Sequence, residues 1–490
     1  MILEGYSMEP QFDVLVIGGG VVGCAIAREL TRTRWKVGLL EKNLDVAYEA
    51  SGRNSAVLHG GFAYDPGTLK AKLCVEGNAE FDQVAEELDV PFKRTGKVLV
   101  GNTPEDMASL RRTLETGRIN GARNLEIIDK ERLHQLVPSV VGEFALWSPT
   151  SGIMDPFLYT VALAENAVQN GARFFFDAEV TAIRREDGIY HLTTKQGEFT
   201  SRWVINSAGL GCGKISDMLG IHGYSIRGSK GDYIILDKRV GPLLPMPVYP
   251  VPSNTYMGIH VTPTVDGNVT VGPNAEYVDD FDYYGVPATS IESLAESANT
   301  LWPCIRREDY IRNYSGILSK WVDTDGTIHD FTIEMRPEAP NAVNLIGIES
   351  PGLTAALPIA RYVINLIRQK ADLPENPDFN PRRKGIVRFA EQSDEVKAQL
   401  IAQDPNYGEL VCRCEKVTRA ELLQAIHNPL GVHTMVAVKY RTRCMMGRCQ
   451  GGYCQMRMAQ MIEEELGLQP TDVLYNRPGS HPFTGRVREQ

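Results

Sequence analysis

A strand-like run, Asp13-Val-Leu-Val-Ile17, meets a helical stretch from Val22 to Thr33 across Gly18, Gly19 and Gly20, with Gly23 one turn further on. Lys36-Val-Gly-Leu-Leu40 then reads as a second strand, so Phe12 to Glu41 predicts a βαβ unit. Each glycine answers a steric demand: a tight turn, a close approach to pyrophosphate, and packing of the helix on the sheet. The helix N-terminus then faces the phosphates. Glu41 ends the second strand about twenty residues after the glycines, where a carboxylate accepts hydrogen bonds from a ribose. Together these features predict a dinucleotide site. FAD and NAD share the same adenosine diphosphate half, so the motif alone does not choose between them.

A chain of 490 residues exceeds one hydrophobic core, and about three domains are expected. Strand signals at 173–180, 203–206 and 344–347, with a helix over 359–368, complete the nucleotide sheet. Alternating stretches at 231–237, 256–262 and 268–271 suit an interleaved antiparallel sheet. The fold class is thus α/β with α+β character: a Rossmann-like domain, a second antiparallel-sheet domain, and a small helical C-terminal unit. The expected divisions are 12–85, 150–222 and 335–372 for the first domain, and 86–149 with 223–334 for the second. Residues 373–407, rich in Pro, Asn and Arg, read as a linker to a unit over 408–467, with a tail at 468–490.

The net charge of -10 argues against binding nucleic acid. The apolar run from Val14 to Ala27 is broken by glycines and too short to span a bilayer. No secretory leader precedes it, so a cytoplasmic location is expected, free or peripheral at the inner face of the membrane.

Of nine cysteines, Cys24, Cys74, Cys212 and Cys304 are scattered, while Cys412, Cys414, Cys444, Cys449 and Cys454 crowd the C-terminal end. A reducing compartment makes them ligands rather than disulfides. Thr418 and Glu421 form a capping box that starts a helix just after the first pair. A four-cysteine zinc site is one reading, weakened by the single residue between Cys412 and Cys414. An iron-sulfur cluster is the other.

Three separated segments carry a resemblance. Ala50-Ser-Gly-Arg-Asn-Ser55, Asn206-Ser-Ala-Gly209 and Gly347-Ile-Glu-Ser-Pro-Gly-Leu-Thr354 resemble the FAD-contacting segments of the D-amino-acid-oxidase superfamily. That resemblance implies FAD, held by Gly18, Gly20, Gly23, Glu41, Lys42, Ser51, Arg53, Asn54, Ser55, Val180, Ala208, Gly209, Gly347, Gly352, Leu353 and Thr354. Ser55 to Gly61, Tyr64 to Lys72, Tyr249 to Pro252 and Gly258 to Thr262 look like segments of L-2-hydroxyglutarate oxidases. The C-terminal module looks like that of anaerobic glycerol-3-phosphate dehydrogenase large subunits. Its Cys-x-Cys and Arg448-Cys449-Gln-Gly-Gly-Tyr-Cys454 resemble the bacterioferritin-associated-ferredoxin-like domain, which implies a two-iron two-sulfur cluster on Cys412, Cys414, Cys449 and Cys454, with Cys444 spare.

The implied activity is hydride transfer from a small anionic secondary alcohol, glycerol 3-phosphate or an L-2-hydroxy acid, to flavin. His59 or His260 would take the hydroxyl proton, with Tyr64, Tyr249 and Lys72 orienting the substrate. An amine or imino-acid dehydrogenase and a non-catalytic electron-transfer scaffold are the alternatives. Electrons would leave to a second flavoprotein, a ferredoxin-like subunit or a quinone. Ala63 and Leu318 stand where these families place anion-binding arginines; Arg227, Arg312 and Lys320 are the replacements the sequence offers.

Overall fold

In the computed structural model, which describes residues 11–252 and 258–485, the first sheet is centred on Phe12–Ile17. That strand pairs in parallel with Val37–Leu40 on one side and with the end of Gly197–Asn206 on the other. Arg173–Phe175 and Ala342–Ile346 extend the parallel core at its two edges. The central strands are buried on both faces, which is why they read as continuous Val, Ile and Leu runs rather than alternating ones. The helix Val21–Leu30 packs on Pro156–Gln169 and Ala356–Arg368.

Register fixes the site. Ile17 lies opposite both Leu40 and Asn206, so Gly18, Glu41 and Ser207 emerge together at the carboxyl ends of adjacent strands. This is where open α/β sheets bind ligands. The first half of Gly197–Asn206 turns antiparallel to Ile189–Thr194, adding a meander. The strand expected over 173–180 ends at Phe175, because Asp177 takes a left-handed turn and Ala178 N–H then donates to Glu41 O at 2.8 Å.

A nine-stranded sheet forms the second layer, built on the long antiparallel pair Ile226–Leu236 and Tyr310–Trp321. Val248–Pro250 links Lys97–Gly101 in parallel to Val261–Pro263 in antiparallel, so Lys97, Tyr249 and His260 converge on neighbouring strands. Of the strand expected over 256–262, residues 256 and 257 lie outside the described ones.

The C-terminal unit holds helices Arg419–Ile426, Met435–Thr442 and Gln455–Leu466 around a core that includes Leu422, Met435, Met458 and Ile462. The capping box forms: Glu421 N–H donates to Thr418 Oγ1, and Thr418 N–H donates to Glu421 Oε2. The unit is docked. Arg441 forks onto the Asp45 carboxylate at 2.6 and 3.2 Å with both side chains fully buried, and Tyr440 stacks on Phe157 at 4.1 Å. The expected linker carries a helix of its own, Asp394–Gln403, and its Arg383 is buried against Glu165 at 2.6 Å. Tail residues 474 and 475 accept hydrogen bonds from Met435 and Val436. Among the described residues no helix is long and apolar enough to cross a membrane.

Candidate functional site: a nucleotide cavity and a cysteine module

The glycine turn leaves no room for side chains. A Cβ on Gly18, whose φ is +106°, would lie 2.6 Å from Ser207 O, and one on Gly23 would lie 1.9 Å from Gly18 O. Gly20 caps the helix without a side chain, and Val21 N–H donates instead to Ser51 Oγ at 2.9 Å. The Glu41 carboxylate accepts from Gly19 N–H at 2.5 Å and from both nitrogens of Asn43. Its burial raises its pKa, against these hydrogen bonds.

From this turn a cavity of about 420 Å³ runs to the second sheet. Ser51, Asn54, Ser55, Gly209, Gly352 and Leu353 line it. Asn54 shapes the 50–55 loop by donating to Ala50 O and Ser51 O and accepting from Ala56 N–H. Thr354 Oγ1 accepts from His59 N–H at 3.0 Å, tying the late glycine turn to the His59 segment. Gly347, at φ +67°, crosses Trp321 closely. Gly20 lines it too, while Gly18, Gly23, Glu41 and Thr354 lie behind its wall, and Lys42, Arg53, Val180, Ala208 and Gly347 are placed otherwise. Lys42 faces Glu49 at 3.5 Å, and Arg53 donates to Tyr48 O and covers the Tyr284 ring. Val180 packs in the sheet's second core, and Ala208 N–H donates to Asn206 Oδ1.

At the far end stand His59, Tyr64, Lys97, Tyr249 and His260. The His260 ring stacks on Tyr249 at 3.8 Å, and its Nδ1 is 3.1 Å from Thr262 Oγ1. Burial and the nearby Lys97 push its pKa down to about 3. Burial, Lys97 and His260 push His59 well below the ordinary histidine value. Both imidazoles are therefore neutral across physiological pH. The phenols of Tyr64 and Tyr249 are held protonated by burial.

Lys97 is the residue that sequence reasoning passed over. Its side chain is 2% exposed and its ammonium lies 4.7 Å from the Phe62 ring and 4.5 Å from the Tyr249 ring. No carboxylate pairs with it among the described residues. Burial lowers its pKa to about 8. In sequence it is one lysine at the start of a strand, with no local sign that the strand enters a cavity. The basic residues that the sequence does single out are placed otherwise. Lys72 is exposed, Arg227 covers Tyr277, and Arg312 donates to Gln450. Lys70 and Lys320 do reach the cavity, but both face Glu349, at 2.8 and 3.8 Å.

In the C-terminal unit, the Cys414 and Cys449 sulfurs lie 3.2 Å apart at the surface. Cys412 and Cys454 lie buried, with Cys444 beside them. A Cβ on Gly447 would lie 2.7 Å from Cys414 Cβ, so the loop must be bare at that point.

A family model described as FAD dependent oxidoreductase matches residues 13–366. The chain belongs to this family. A second model, a BFD-like 2Fe-2S binding domain, matches residues 410–464 of the oxidoreductase and sets aside the zinc reading of its cysteine module. The glycine cradle, the Glu41 carboxylate and the continuous cavity fit FAD, and a buried and an exposed cysteine group fit a cluster. A curated protein named glycerol 3-phosphate dehydrogenase, from Caloramator mitchellensis, is 37% identical over 98% of this chain and 99% of its own. The mitochondrial L-2-hydroxyglutarate dehydrogenase of Caenorhabditis elegans is 30% identical, over 72% of this chain and 92% of its own. Among solved structures, the dithionite-reduced, FAD-bound L-alpha-glycerophosphate oxidase of Mycoplasma pneumoniae superimposes with a TM-score of 0.71 at 27% identity. That match covers 76% of this oxidoreductase and 98% of the solved chain.

Proposed function

We propose that the protein oxidises glycerol 3-phosphate at its secondary hydroxyl. The observation that carries this reading is Lys97, a buried cation with no carboxylate partner among the described residues, beside two neutral histidines at the end of the flavin cavity. The 37% identical relative named glycerol 3-phosphate dehydrogenase supports it over the whole chain. Bound FAD supplies the hydride acceptor, and a two-iron two-sulfur cluster supplies a one-electron centre.

The chain's own residues do the rest. Lys97 pairs with the substrate's phosphate in a water-poor site, replacing the arginines absent at Ala63 and Leu318. His59 takes the hydroxyl proton on a ring nitrogen. Its ring makes no hydrogen bond among the described residues, while its backbone is pinned by Thr354 and by Asn78, which donates to His59 O. His260, which lines the cavity, orients the substrate: with Nδ1 engaged by Thr262, Nε2 is left as the ring nitrogen without a partner among the described residues. Tyr64, at 6.4 Å centroid distance from His59, closes the same wall with its hydroxyl protonated. Gly18, Gly20, Gly23, Glu41, Ser51, Asn54, Ser55, Gly352, Leu353 and Thr354 form the FAD cradle, and Cys412, Cys414, Cys449 and Cys454 the principal cluster ligands. The exposed Cys414 and Cys449 would hold the edge of the cluster from which a second flavoprotein, a ferredoxin-like subunit or a quinone would collect electrons.

An L-2-hydroxy acid is the second reading, supported by the Caenorhabditis elegans relative, since a carboxylate also suits Lys97. Dye-linked turnover with glycerol 3-phosphate, L-2-hydroxyglutarate and uncharged glycerol tests both. Turnover is expected with glycerol 3-phosphate and not with glycerol. Faster turnover with L-2-hydroxyglutarate gives the second reading; equal rates with uncharged glycerol overturn the role of Lys97.

A further inference from the structure

The C-terminal unit holds five cysteines where a two-iron two-sulfur cluster takes four. We infer that Cys444 is a third thiol ligand at the buried corner of this module, interchangeable with Cys412 or Cys454.

The sulfurs of Cys412, Cys444 and Cys454 all lie within 4.8 Å of one another, and all three residues are 0 or 1% exposed. A tetrahedral metal with sulfur bonds of about 2.3 Å holds two sulfurs about 3.8 Å apart, so any two of the three are spaced to share one iron after a small rotation. A cysteine acting as a small apolar filler would turn its sulfur toward carbon; Cys444 turns it toward two other sulfurs.

The backbone around Cys444 is shaped for this. The helix Met435–Thr442 ends at Arg443 in the left-handed region, and Met445 is left-handed too, at φ +70°. Cys444 N–H donates to Thr442 Oγ1 at 3.2 Å. The loop thus delivers a third thiol to the sulfurs of Cys412 and Cys454.

Ligation by Cys444 forms one iron-sulfur bond and breaks the one to Cys412 or Cys454. The proton that the Cys444 thiol gives up passes to the thiolate it displaces, so charge and oxidation state are unchanged. The two corners then differ in tolerance. Cys414 and Cys449, exposed and paired with each other, have no third thiol beside them among the described residues.

The test uses the full-length protein carrying Cys412→Ala, Cys454→Ala or Cys414→Ala, each with and without Cys444→Ala. Iron and sulfide per bound FAD and the electron paramagnetic resonance of the dithionite-reduced protein are the readouts; FAD content and melting temperature report folding. Cys444→Ala alone is expected to keep the cluster. Cys412→Ala and Cys454→Ala are expected to keep most of the iron with a shifted resonance, and to lose it when Cys444→Ala is added. Cys414→Ala is expected to lose it in either background. Loss of iron from folded Cys412→Ala and Cys454→Ala as complete as from Cys414→Ala would overturn the inference. Loss from Cys444→Ala alone would overturn interchangeability as well. The inference rests on the module's match and geometry, so it stands or falls separately from the substrate reading.

Discussion

Replacing Lys97 with methionine separates binding from folding in one variant. Methionine keeps a long unbranched chain against Phe62 and Tyr249 and removes the charge. Truncating one partner of a buried charge pair costs about 2 to 5 kcal/mol. At the lower end the KM for glycerol 3-phosphate is expected to rise about 30-fold, at 1.4 kcal/mol per factor of ten. Folding is expected to respond in the opposite direction. The fall of the Lys97 pKa from 10.5 to about 8 corresponds to about 3 kcal/mol of penalty on the charged form in the folded state. Because the folded value lies below the unfolded one, that penalty is complete below pH 8 and fades as pH rises towards 10.5. At pH 7 the variant should therefore melt higher than the parent while binding substrate worse. Steady-state kinetics and a thermal scan of the FAD-loaded protein measure both. An unchanged KM would refute the anion contact; a lower melting temperature would show that the ammonium has a structural partner.

Four further outcomes follow from the same geometry. His59→Gln is expected to lower kcat about 100- to 10,000-fold with FAD retained, whereas His260→Gln should mainly raise KM; the reverse pattern in kcat and KM would exchange their roles. Since both histidines are neutral and Lys97 loses its proton near pH 8, kcat/KM for glycerol 3-phosphate should fall as pH rises through about 8, and that limb should vanish in Lys97→Met. Glu41→Gln keeps the shape but trades a charged acceptor for a neutral one, so apoprotein should rebind FAD about tenfold more weakly, read by flavin fluorescence. Asp45→Asn leaves Arg441 buried without its bidentate partner, a loss of about 3 to 5 kcal/mol; protease cleavage between 373 and 467 should then outpace that of the parent.

The parts legible in the sequence are those where one local rule decides the structure. The glycine turn and Glu41 follow from local rules within a single βαβ unit, and the start of the helix Arg419–Ile426 from the Thr418 and Glu421 capping box. The interleaved sheets were readable as strand types, because one set is uniformly apolar and the other alternates. What the sequence hid depends on distant chain. Lys97 enters the cavity only because Val98 pairs with Val248 and brings Tyr249 and His260 alongside. The 373–407 segment has a linker's composition, yet Arg383 finds Glu165 more than two hundred residues away. Cys444 looks spare beside a known spacing, and only the fold shows its sulfur next to those of Cys412 and Cys454.

The most direct measurement is anaerobic mixing of the FAD-loaded protein with glycerol 3-phosphate, unlabelled and deuterated at the carbinol carbon, while the oxidised flavin band is recorded. The band should bleach in a single turnover, several-fold more slowly with the deuterated substrate, and persist with uncharged glycerol. A band that persists with every anionic secondary alcohol, or that bleaches equally fast with glycerol, would contradict the account.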